Sequence, residues 1–104
     1  MTPDAHPAPA PPASAPLAAD LDDMRRLVLA MRNAPIDQLT RTLAVLCRMG
    51  NGHWQEPSPG GATGRPATHL YEIQIYGQSA IGTTPEEAAR NWRTCALKQI
   101  EEAA

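Results

Sequence analysis

The sequence predicts an α+β domain: an N-terminal helical hairpin, a short antiparallel sheet of two or three strands, and a C-terminal helix. Three observations carry this. Apolar residues recur at three- and four-residue spacing over 17–33 and again over 35–49, the period of a helix buried on one side. Apolar and polar residues alternate over 69–76, the period of a strand with one covered face. Thr84-Pro85-Glu86-Glu87 then opens a third helix. Helices gathered before and after a run of strands give a layered α+β domain, not a parallel doubly wound sheet.

Residues 1–16 hold six of the 11 prolines, with alanines in most of the gaps. Such a segment cannot bury enough apolar surface to offset its ordering entropy, so it is expected to be a disordered tail. The domain proper is then 17–104, a size that folds alone with a thin margin.

Leu17, Leu21, Met24, Leu27, Val28 and Met31 form the stripe of the first helix. Asp20, Asp22 and Asp23 crowd its early turns, where the helix dipole favours negative charge. Asn33-Ala34-Pro35 ends it, because the residue before a proline is pushed out of the helical region. Pro35 suits the first position of the second helix. Ile36, Leu39, Leu43, Leu46 and Cys47 form its stripe, and Gly50-Asn51-Gly52 stops it, since glycine accepts the left-handed cap. Two amphipathic helices with so short a joint read as an antiparallel pair.

His53–Glu56 is expected to be a short strand, followed by a Gly/Pro-punctuated loop over 57–67. In the strand over 69–76, Tyr71, Ile73 and Ile75 share one face, with Leu70, Glu72, Gln74 and Tyr76 on the other. Gly77-Gln78 reads as a two-residue turn with glycine first, and Ser79-Ala80-Ile81 as the return strand. Thr84 is the expected N-cap of the last helix, Pro85 its first residue, and Glu87 the partner of Thr84 in a capping box. Ala88, Ala89, Trp92, Cys95, Ala96 and Ile100 line its apolar side.

Few chemistries fit these residues. Cys47, Cys95 and three histidines lack the close ligand pairs of a structural zinc site, and both cysteines are expected to act as small core hydrophobes. Ser58 and Ser79 have no nucleophile-elbow context. Gly60–Arg65 lacks the Lys-Ser/Thr ending of a phosphate loop. The carboxylates are accounted for by helix starts and solvated ends. No catalytic residue, metal or cofactor is therefore expected. No apolar run is long enough to span a bilayer, and the N-terminus does not read as an export signal. The expected place of work is the cytoplasm, without a membrane partner and with reduced cysteines.

From Gly82 to Ala88 the chain reads Gly-Thr-Thr-Pro-Glu-Glu-Ala after a strand pair. This resembles the strand–helix junction of HicB-type antitoxins over roughly Tyr71 to Asn91. The strands and final helix are also similar to the double-stranded-RNA-binding fold, but Glu86 and Glu87 stand where that family places lysines. More broadly, His69–Trp92 resembles small prophage or gene-transfer-agent proteins of GC-rich bacteria. The excess of arginine, with Lys98 the single lysine, fits such a genome. That resemblance implies an accessory or regulatory protein.

Two functions follow as expectations. The first is a non-enzymatic protein that contacts a protein partner or itself, as a homodimer, through a surface of Trp54, Tyr71, Ile73, Ile75 and Tyr76. The second is a nucleic-acid-binding regulator or packaging protein using Arg41 and Arg48 of the second helix with Arg90, Arg93 and Lys98 of the last. A formal net charge of −2 speaks for the first, because nucleic-acid binders usually carry a basic surplus.

Overall fold

The computed structural model describes residues 18–58 and 69–103. The expected tail over 1–16, Leu17 and most of the loop over 57–67 lie outside the described residues. The elements run α1 (Ala18–Ala30), α2 (Ile36–Arg48), β1 (Gly52–Gln55), β2 (Tyr71–Ile75), β3 (Gln78–Gly82) and α3 (Pro85–Ala103). The three strands form an antiparallel sheet in the order β1-β2-β3, so among the described residues β2 is central and both neighbours are edges. The architecture is α+β.

Each helix buries the stripe its spacing predicts. Met24, Val28 and Met31 of α1 and Leu39 and Leu43 of α2 are buried. The two helices follow each other through a short link, but each packs on α3 more than on the other. The cause is length: α3 spans 19 residues and offers a wall that both shorter helices can share. Arg93 fastens this arrangement. Its guanidinium Nη1 donates to the carbonyls of Met31 and Ala34, at 3.0 and 2.9 Å. Both carbonyls lie just past α1, and Met31 O also accepts from Ala34 N–H at 3.2 Å, so Arg93 ties the α1–α2 link to α3.

Pro35 is the N-cap of α2, not its first helical residue; its ψ of 147° is extended. At the other end Gly50, with φ +87°, donates to the Cys47 carbonyl, and Asn51 donates to that of Leu46. This bond pair is the Schellman closure expected of a glycine stop. Met49 just before it is 69% exposed.

The β2–β3 hairpin differs from expectation by one residue. Ile75 pairs with Gln78, so the two-residue loop is Tyr76-Gly77. Both have positive φ, 53° and 79°, which defines a type I′ turn whose twist matches the strands. Tyrosine is rare in that conformation, and this is why the turn was expected one residue later. Tyr76 is held there by packing against the core.

One sheet face is covered by α3. Ile73, Ile75 and Ala80 lie under Ala88, Ala89, Trp92 and Ala96, all buried. Trp92 is fully buried, and its indole N–H donates to the carbonyls of Gln78 (3.0 Å) and Ile75 (3.3 Å). The helix thereby grips the hairpin next to its turn. Cys95 is exposed and Cys47 half-buried, so the expectation of two core cysteines fails. Cys95 sits just outside the arc that Ala88, Trp92 and Ala96 turn toward the sheet.

Among the described residues, no helix is long and apolar enough to cross a membrane.

Candidate interaction site along the first strand of the sheet

The two edges of the sheet are finished differently. In an antiparallel ladder, every second residue of an edge strand turns its backbone N–H and C=O away from the sheet. On β3 these are Ser79 and Ile81, because the closing pair Ile75–Gln78 bonds inward. Both outward carbonyls are taken by side chains. The Asn91 amide donates to Ile81 O at 2.8 Å, and the Gln78 amide donates to Ser79 O at 2.9 Å. A strand approaching β3 meets acceptors already in use.

On β1 the ladder phase follows from one bond. Tyr76 N–H donates to Asn51 O, a long bond at 3.5 Å, so Gly52 and Ile75 are a non-hydrogen-bonded pair. His53 and Gln55 then bond inward to Gln74 and Glu72. Gly52 and Trp54 turn their backbone groups outward. No described residue bonds to those outward groups.

An open cleft of about 500 Å³ runs along this edge. Ala44, Cys47 and Arg48 of α2 form one wall, and the strand from Gly52 to Trp54, with Glu56 just beyond it, forms the other. Arg48 and Glu56 are exposed and place opposite charges at its rim. Trp54 is half-buried and packs against the core. It lies opposite Ile73 in the ladder, so its indole is on the covered face. Burial pushes the Cys47 thiol up from its ordinary pKa. It is therefore protonated at neutral pH, which makes it a poor nucleophile. Among the described residues, no group of three or more histidine, cysteine or acidic side chains stands where it could hold a metal ion.

A second recess shares Gly52 and His53 with the cleft and lies where Asn51, Gln74 and Tyr76 meet Asp20 of α1. Burial first, then the charges of Asp23 and Asp20, hold the Tyr76 phenol above its usual pKa. It remains a neutral donor and acceptor.

The expected contact surface is thus divided. Ile73 and Ile75 are 0% exposed and belong to the core. Tyr71 and Tyr76 are half-buried and pack on its margin. Trp54 alone of the five lines the cleft. The residues named for nucleic acid are scattered in role. Arg93 is engaged with the α1–α2 link. Arg41 pairs with Asp37 at 3.4 Å on an exposed turn, a contact worth little in water. Arg48 lies on the cleft rim, and Arg90 and Lys98 are exposed on α3. Residue types alone did not single out Ala44, Gly52, His53 or Glu56. The usable signal was the brevity of the strand after Gly50-Asn51-Gly52, which marks an edge.

No family model matches the chain, and no curated protein or solved structure is similar to it.

Proposed function

We propose that this chain is a non-enzymatic interaction protein of the cytoplasm, an accessory or regulatory factor of the prophage kind that its sequence resembles. It works by accepting an extended polypeptide along the free edge of β1. The observation behind this reading is the contrast between the two edges: Asn91 and Gln78 occupy the outward carbonyls of β3, while no described residue bonds to the outward groups of Gly52 and Trp54 beside the cleft. An open edge is a liability that soluble proteins usually cover or blunt. Strand addition turns it to use, with main-chain bonds giving affinity and the flanking cleft giving selectivity. Here Arg48, Glu56 and Trp54 supply the selectivity.

Site-specific photo-crosslinking in the source cell tests the reading. A photoreactive residue at Glu56 should yield protease-sensitive polypeptide adducts, while one at Glu101, on the exposed end of α3, should not. Adducts that are nuclease-sensitive, and that form from Arg90 or Lys98 instead, would establish the nucleic-acid function in its place.

A further inference from the structure

We infer that the polypeptide received by β1 is the β1 strand of a second copy of this chain, paired antiparallel about a two-fold axis beside Trp54. The inference rests on the docking reading above and names its occupant. Two features lead to it. The outward-facing positions of the strand region are Gly52 and Trp54, and the same alternation assigns Glu56 to this set. The one symmetric register that uses all three sets Trp54 against the second copy's Trp54, and Gly52 against the second copy's Glu56. In that register the charges at the rim complement each other. Arg48 closes α2 just before the Gly50 stop that leads into Gly52, and it lines the same cleft, so the second copy's Glu56 arrives on its side of the cleft, and by symmetry the contact occurs twice. A cleft lined by one cation and one anion can complement itself, as a two-fold interface must. Pairing also joins two small sheets into one, and brings the two half-buried indoles together on the covered face.

Light scattering on the full chain across the micromolar range tests this, together with charge swaps at the two exposed rim residues. The mass should rise with concentration from 11.2 kDa toward twice that value. Arg48→Glu and Glu56→Arg each set like charges against each other at both symmetric contacts, and each should weaken association by about tenfold. The double swap R48E/E56R should recover most of the loss. Unchanged helical circular dichroism in all three variants assigns the effects to the interface. Mass fixed at the monomer, or dimerisation indifferent to the swaps, would overturn the second-copy proposal. The crosslink from position 56 separates that failure from failure of the docking reading: a monomer that still yields polypeptide adducts there binds a foreign strand, and a monomer without them loses both.

Discussion

At Gly82 a single methyl group has nowhere to go. A Cβ built there would stand 2.4 Å from the Ala88 nitrogen and 2.8 Å from the Glu87 carbonyl carbon, both backbone atoms of the first turn of α3. Gly82→Ala should therefore cost about 2 kcal/mol, as overpacked cores do, read as a fall in the urea midpoint at unchanged slope. Just beyond it, the helix start works as expected in one half and differently in the other. Thr84 Oγ1 accepts from Glu87 N–H at 3.0 Å, so Thr84→Ala should cost about 1 kcal/mol. The Glu87 carboxylate, however, reaches past Thr84 to the N–H and hydroxyl of Thr83, at 2.7 and 3.1 Å. The Thr83 N–H above all, then its hydroxyl, holds the Glu87 carboxyl below the usual carboxylate range. A depressed acid contributes stability above its unfolded pKa and loses it as pH falls through its folded value. The acid limb of the stability–pH curve should flatten in Glu87→Gln, and an unchanged limb would show that this bond is not felt.

The elements were largely legible, and the exceptions share a cause. Period and punctuation located all three helices, the central strand and the Gly50 stop, because these depend on local residue choice. The Tyr76-Gly77 turn was displaced because the core packing of Tyr76 overrides the poor fit of tyrosine to positive φ. Gly77, with φ 79°, carries the other half of that turn, and Gly77→Ala should destabilise the hairpin by about 1 kcal/mol. The partition of α1 and α2 onto α3 was invisible for another reason. It is fastened by Arg93 reaching the Met31 and Ala34 carbonyls, contacts 62 and 59 residues apart in sequence. Arg93→Ala should lower the thermal midpoint by a few degrees, without the salt dependence that a phosphate contact would show. The cysteines were misjudged because a stripe drawn on spacing is wider than the arc that a packed helix buries. Alkylation should accordingly modify exposed Cys95 ahead of half-buried, protonated Cys47.

Among the described residues, one sheet face is covered by α3, the outward carbonyls of one edge are taken by side chains, and no residue bonds to the outward groups of the other. That asymmetry was the part of the candidate site least legible in the sequence. Asn91 and Gln78 gave no sign that they would cap β3, since each acts through a carbonyl that only the ladder's phase turns outward. Trp54 was identifiable as a large aromatic on a short strand. Its neighbours in the cleft became identifiable only once α2 was placed beside β1. The same placement gives the arginines different settings: Arg93 pins the helices, Arg41 pairs locally, Arg48 lines the cleft, and Arg90 stays exposed on α3 with Lys98. The central claim is that the β1 edge is open in the free chain and covered when the protein is engaged. Residue-resolved amide exchange at Trp54 tests it most directly, with His53 as the internal reference. In dilute solution the Trp54 amide should exchange far faster than the inward-bonded amide of His53, and it should slow as concentration rises or a partner strand binds. A Trp54 amide already as protected as that of His53 in the dilute chain would contradict the account.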